Sequence, residues 1–210
     1  MICSLCQERA IVSQRYLGQH LCQDHFIQDF EGRMVQTIEM NRMIEKGERI
    51  AVAVSGGKDS TALLFGLSRV LAEKEVEMLA VTVDEGIAGY RDDTILAAKR
   101  IARQLGVEQV IVSFREKYGW SLDEMVVGAE VAPCTYCGVF RKNALNRAAK
   151  SLGATKLATG HNQDDEAQSV LMNVLRGDPY RLTRPVREVA GLVPRIKPFM
   201  YIPEREVALY

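Results

Sequence analysis

The sequence lacks any long hydrophobic run. No stretch approaches the roughly 18 apolar residues needed to cross a bilayer, and the N-terminus, MICSLCQERA, has no basic segment leading into an apolar one. The expectation is a cytoplasmic protein with no membrane partner. Net charge is also missing, because 27 basic residues balance 27 acidic ones. There is thus no global electrostatic footprint for nucleic acid, and any such contact must come from a local patch. One candidate patch runs from Arg176 to Lys197, where Arg181, Arg184, Arg187 and Arg195 also fall, against Asp178 and Glu188. A solvated loop with spare arginines explains the same stretch equally well. Prolines are few, repeats and low-complexity segments are absent, and 47% of residues are apolar, which together exclude disordered and fibrous chains. At 210 residues the chain holds one sizeable domain, or one domain with a small appended module.

What is present is a segmented pattern. Residues 1–30 have no long apolar period but hold Cys3, Cys6, Cys22 and His25, and read as a small unit stapled by a metal. Residues 31–47 carry Met34, Ile38, Met43 and Ile44 at near-helical spacing and read as a connecting helix. From residue 48 to 210, short β-branched runs alternate with helical ones. Strands are predicted at 49–54, 76–83, 109–114 and 156–160, with helices at 59–72, 91–106 and 164–175. That alternation predicts an α/β domain, a parallel sheet with right-handed crossovers and helices on both faces.

The first strand runs directly into Ser55-Gly56-Gly57-Lys58-Asp59-Ser60 and then a helix. This layout aims backbone N–H groups and the positive helix end at phosphates. A Walker A loop is excluded, since position 52 is Val and Asp59 follows Lys58. Ligand sites in open parallel sheets lie beyond the carboxyl ends of the strands. Asp84, ending the second strand, could therefore accept from a nucleoside or simply terminate the strand. The run Gly160-His161-Asn162-Gln163-Asp164-Asp165-Glu166 ends the fourth strand, placing its carboxylates beside the loop or at a helix N-terminus, where acids are ordinary.

The spacing Cys3-x2-Cys6-x15-Cys22-x2-His25 presents four ligands in two pairs, as in closed tetrahedral Zn²⁺ sites. Cys134 and Cys137, in Pro133-Cys134-Thr135-Tyr136-Cys137-Gly138, sit at a loop-to-helix junction where the helix end favours thiolate. A redox dithiol, half a zinc site and two ligands of an iron–sulfur cluster all remain open for that pair.

The SGGxDS loop resembles the pyrophosphatase loop of adenylating amidotransferases and tRNA-modifying ATPases, which cleave ATP between the α and β phosphates. The resemblance covers residues from about 48 to 180. It implies that Ser55, Gly57, Lys58, Asp59 and Ser60 grip phosphate, that the backbone at Ala53 and Val54 meets adenine, that Gly160 and Asp165 bind ATP, and that Asp164 is catalytic. Taken with the metal-type N-terminus and the PCxxCG segment, the chain resembles the tRNA 2-thiouridine synthetases shared by archaea, thermophilic bacteria and the eukaryotic cytosol. In that family the Cys134/Cys137 pair and a later cysteine hold a [4Fe–4S] cluster. This sequence departs from the pattern: no cysteine follows Cys137, no second zinc module follows, and Tyr210 falls inside a helix beginning near Pro203, as in a partial chain.

The resemblance implies attack of a uridine O2 on the α-phosphate of ATP, departure of pyrophosphate with Mg²⁺, and displacement of AMP by sulfide. Lys58 would stabilise pyrophosphate, Asp164 would position or deprotonate, and Arg141 would steady the adenylated base. Implied partners are tRNA, a ubiquitin-like sulfur carrier and a second copy of the chain. The rival readings are a 2-thiocytidine synthetase and a nucleotide-binding scaffold without catalysis.

Overall fold

The computed structural model describes residues 1–128, 130, 132–178 and 189–210, together with the backbone of 186 and 187. The chain opens with an antiparallel hairpin, β1 (Val12–Gln14) and β2 (Gln19–Leu21), followed by helix α1 (Gln23–Met40). This differs from the predicted helix over 31–47, because α1 starts eight residues earlier and carries His25 in its first turn. The early apolar positions Phe26 and Phe30 continue the stripe of Met34 and Ile38 and bury it, so the metal-type unit and the helix are one continuous structure.

Among the described residues the main sheet has six strands, in the order β5 (Glu108–Ser113), β4 (Glu77–Asp84), β3 (Arg49–Ala53), β6 (Lys156–Ala158), β8 (Arg195–Ile196) and β7 (Val186–Arg187). The first five are mutually parallel, and β7 runs antiparallel at the edge. The alternating pattern therefore predicts the parallel core correctly. It misses β7 and β8, two-residue strands too short to produce a period.

Helices cover both faces. Ile50, Val52, Ala80 and Ala158 face α1, α2 (Lys58–Val70) and α3 (Arg91–Gln104) in one cluster that also includes Cys3, Cys22, Phe30 and Phe199. Ala51, Val81 and Leu157, one residue out of phase, face the long helix α6 (Pro133–Ser151) through Ala148 and Ala149. Farther along, Val83 packs with Phe114 of α4 (Phe114–Tyr118), Leu122 of α5 (Leu122–Met125), and Cys137 and Ala144 of α6. Helix α7 (Gln163–Leu175) follows β6, and α8 (Glu204–Leu209) begins after Pro203, as predicted.

A polar cluster joins the ends of the chain. Glu206 of α8, fully buried, accepts hydrogen bonds from Gln14, Tyr16 and Arg33, tying the hairpin and α1 to the last helix. No helix among the described residues is long and apolar enough to cross a membrane.

Candidate active site

The carboxyl ends of β3, β4 and β6 open onto a cavity of about 270 Å³. Its floor is the loop between β3 and α2. Ser55 and Ser60 hydroxyls lie 3.0 Å apart, the Ser55 amide donates to the Ser60 hydroxyl at 3.1 Å, and Ser60 donates to the Gly57 carbonyl at 3.0 Å. The two serines thus close the loop on itself and leave the first N–H groups of α2 facing outward. Gly56 has φ +87°, and a β-carbon there would meet the Thr94 carbonyl oxygen at 1.9 Å, so α3 packs directly on the loop backbone. Gly160 is required for the same reason on the other side: its β-carbon would lie 2.8 Å from the Asp59 carbonyl oxygen.

Of the residues predicted from sequence, Ala53, Val54, Ser55, Gly57, Asp59, Ser60, Arg141, Gly160 and Asp165 all line this cavity. Three others stand differently. The Lys58 side chain is turned to acids, donating to Glu204 at 2.6 Å and to both Asp59 oxygens at 3.0 Å; the hydrogen bond to Glu204 raises its pKa above the ordinary lysine value. Asp84 accepts from the Gly86 amide at 2.9 Å, shaping its own turn, and is absent from the cavity wall. Asp164 accepts from the Glu204 amide at 2.7 Å and borders a separate polar cavity with Glu204 and Arg205. Asp165 also caps α7, through a reciprocal pair in which Asn162 accepts from the Asp165 amide and Asp165 from the Asn162 amide.

Sequence reasoning missed Glu85 and Arg91. Glu85 follows Asp84 at the strand end, and the shorter acid drew attention from it. Its carboxylate is buried between Arg91 and Arg141, both of which line the cavity. Arg91 opens α3 and reads in sequence as a helix-surface residue, yet it reaches back to donate to the Ser55 carbonyl at 2.9 Å and to the Val83 carbonyl.

Cys134 lies in the first turn of α6 and Cys137 at the start of the second, Cys134 exposed and Cys137 buried. The expected thiolate-favouring effect of the helix end does not prevail at Cys137. Burial pushes its thiol above the ordinary value despite the neighbouring Arg141, whose Nη2 donates to Sγ at 2.8 Å. Two thiols three residues apart suit a cluster-binding pair, but the sequence has no later cysteine, so these residues do not complete the three-cysteine set.

The N-terminal ligands do converge. Cys3, Cys6, Cys22 and His25 bring their ligand atoms within 4.8 Å of one another. Cys3 Sγ is 3.5 Å and Cys22 Sγ 3.2 Å from His25 Nδ1, and the Cys6 and Cys22 sulfurs are 3.7 Å apart. A tetrahedral ion with metal–sulfur and metal–nitrogen bonds of about 2.3 and 2.0 Å gives edges of roughly 3.5–3.8 Å, and the set fits it. For Cys3, burial acts upward, but hydrogen bonds from Cys22, Leu5 and Cys6 bring its pKa down to about 6. Cys6 is pushed up to about 11: the hydrogen bond from the Glu8 backbone acts downward but is outweighed by burial and by the neighbouring sulfurs of Cys3 and Cys22. Crowded sulfurs that cannot all ionise together are what a cation resolves.

Of the proposed basic patch, Arg181 and Arg184 lie outside the described residues, as do Glu188 and the Arg187 side chain. Arg176 is exposed. Lys197 is buried against Glu166, with Nζ 2.7 and 2.8 Å from the two carboxylate oxygens, and is no surface cation.

A parallel sheet with a glycine-rich anion loop at the carboxyl end of its first strand, facing a carboxylate and an arginine, defines an α/β nucleotide-binding domain of the pyrophosphatase-loop class. The chain belongs to the PP-loop domain family, whose pattern it matches over residues 27–210, and residues 2–27 match the N-terminal LIM domain of the 2-thiouridine synthetase TtuA. Among curated relatives, it is 43% identical over 217 residues to cytoplasmic tRNA 2-thiolation protein 1 of Chlamydomonas reinhardtii, covering 100% of this chain and 60% of that protein. The Arabidopsis thaliana protein of that name is 42% identical, with 100% and 61% covered. The chain thus spans about 60% of the length of these relatives. Among solved structures, the U34-tRNA thiolase NcsA from Methanococcus maripaludis with its [4Fe-4S] cluster matches with a TM-score of 0.89 at 35% identity, covering 100% of this chain and 70% of that one. An NH3-dependent NAD synthetase from Campylobacter jejuni, at 16% identity and a TM-score of 0.55, shares the fold.

Proposed function

We propose that this chain is the catalytic region of an ATP-dependent tRNA sulfurtransferase that makes 2-thiouridine. The observation that carries the proposal is the meeting of the phosphate loop, Asp165 and Arg141 around one cavity, with Arg141 also donating to the Cys137 sulfur behind the cavity wall. The nucleotide lies over Ala53 and Val54 with its phosphates on the Ser55–Ser60 loop, and arrives as its Mg²⁺ complex. Uridine O2 attacks the α-phosphorus, the α–β bond breaks, and pyrophosphate leaves toward the loop amides and Lys58, which stabilise its charge. Sulfide then attacks C2, and the C2–O2 bond breaks to release AMP. Asp165 is the carboxylate facing the reacting groups. Asp164, held by the Glu204 amide, has a supporting position at the helix end.

The N-terminal set is proposed to hold Zn²⁺ as a structural ion, consistent with three sulfurs, one imidazole and no open position. Cys134 and Cys137 are proposed as two of the ligands of an iron–sulfur cluster, which would present sulfur at the cavity when bound. A ubiquitin-like sulfur carrier, a homodimeric assembly and a cytoplasmic location belong to the same proposal and rest on family resemblance.

The test is incubation with ATP-Mg, a tRNA transcript and sulfide, followed by nucleoside mass spectrometry and measurement of AMP. Equal amounts of 2-thiouridine and AMP are expected. Thiocytidine would move the assignment to the sibling reaction, and ATP binding with no tRNA-dependent AMP would make the chain a nucleotide-binding scaffold.

A further inference from the structure

Glu85 is only 2% exposed, yet it sits one residue beyond the end of β4 on the cavity wall. Its two oxygens serve two different arginines. Oε1 accepts from Arg141 Nε at 2.5 Å, and Oε2 lies 2.5 Å from Arg91 Nε. The second contact lacks hydrogen-bond alignment, leaving Oε2 and Arg91 Nε buried without a directed bond, so that pair is held by charge. The bond to Arg141 is directed. Arg91 is anchored on the loop through the Ser55 carbonyl, and Arg141 reaches Cys137 Sγ. One carboxylate therefore connects the phosphate loop to the cysteine pair across the cavity.

A guanidinium is a rigid planar fork, so fixing its Nε fixes the direction of its other nitrogens. Arg141 needs such a constraint, because its side chain is 47% exposed and long enough to sample many rotamers in solvent. We propose that Glu85 is a positioning residue that locks Arg141 in the one pose where it meets both the Cys137 sulfur and the reacting centre. The role in turnover rests on the sulfurtransferase reading above; the locking of Arg141 does not.

The competing account makes Glu85 only the counterion of buried Arg91, and two readouts separate them. The first is the Nε–H signal of Arg141 in ¹H–¹⁵N spectra, assigned by its loss in R141K. It is expected to be sharp and slow to exchange with solvent in the native protein, and averaged in E85Q. Persistence of the protected signal in folded E85Q would overturn the proposal. If E85Q fails to fold because Arg91 loses its counterion, E85D keeps a carboxylate charge between the two arginines on a side chain too short to hold the 2.5 Å bond to Arg141 unshifted, and the same outcomes apply.

The second readout is tRNA-dependent AMP formation. E85Q (or E85D) and R141M are each expected to lower kcat by about tenfold or more with the KM for ATP within about threefold, and the double variant is expected to be no worse than R141M alone. Multiplying effects, or a loss confined to KM for ATP, would assign Glu85 to Arg91 and the loop instead. If the native protein forms no AMP, the sulfurtransferase reading has failed, and the Arg141 signal still decides whether Glu85 fixes it.

Discussion

Gly160→Ala probes how tightly β6 and the phosphate loop are built together. The new methyl group would lie 2.8 Å from the Asp59 carbonyl oxygen, 2.9 Å from its carbonyl carbon and 3.2 Å from the Ser60 amide nitrogen. All three are backbone atoms of the first turn of α2 and cannot rotate away. Comfortable carbon contacts begin near 3.5 Å, so the strand end and the helix start must separate by about half an ångström. Overpacking of this kind costs about 1–3 kcal/mol of stability. Displacing binding groups by such a distance reaches the tolerance of a preorganised site, so turnover should fall by about tenfold or more. Urea unfolding followed by circular dichroism measures the first quantity, and pyrophosphate release with saturating ATP and tRNA transcript the second. Native stability together with a native rate of release would refute the packing argument.

The remaining tests address other parts of the site. Lys197→Met strands the Glu166 carboxylate in the interior and should cost about 3–5 kcal/mol, whereas Lys197→Met with Glu166→Met should recover most of it; equal losses in urea unfolding would contradict the buried pair. Glu204→Gln releases Lys58 from an exposed ion pair worth at most about 1 kcal/mol, so pyrophosphate affinity measured by titration calorimetry should rise between about twofold and fivefold. Weaker binding would show that Glu204 does not compete with the phosphate. His161 touches solvent through the cavity mouth, but surrounding protein and the Arg195 and Lys197 charges outweigh Asp165 and Glu166 and lower its pKa. Its imidazole should therefore be neutral at pH 7 and titrate below 6.5 in NMR spectra; a midpoint above 6.5 would contradict that environment.

Much of the fold was legible because burial on both faces forces β-branched runs between helical periods, and β3, β4, β5 and β6 appear within one or two residues of their predicted spans. The start of α1 was not legible, because Cys22 and His25 read as metal ligands and masked the apolar stripe that Phe26 begins. The hairpin of β1 and β2 has only three residues per strand and so carries no period of its own. At the site, loop residues were readable from local order: strand, serine, two glycines, helix. Glu85 and Arg91 were not, because their roles come from contacts between β4, α3 and α6, which no local pattern encodes. Cys137 shows the same limit. Its position at a helix start was evident, whereas the packing of Val83, Phe114 and Ala144 that buries it was not.

The central claim is that this loop splits ATP at the α–β bond for the benefit of a tRNA base. The most direct measurement follows ATP labelled in both the α and γ phosphates, with and without tRNA transcript, and separates the products by chromatography. AMP and pyrophosphate in equal amounts, formed only when tRNA is present and lost in Lys58→Met, are the predicted result. ADP with free phosphate would contradict the account.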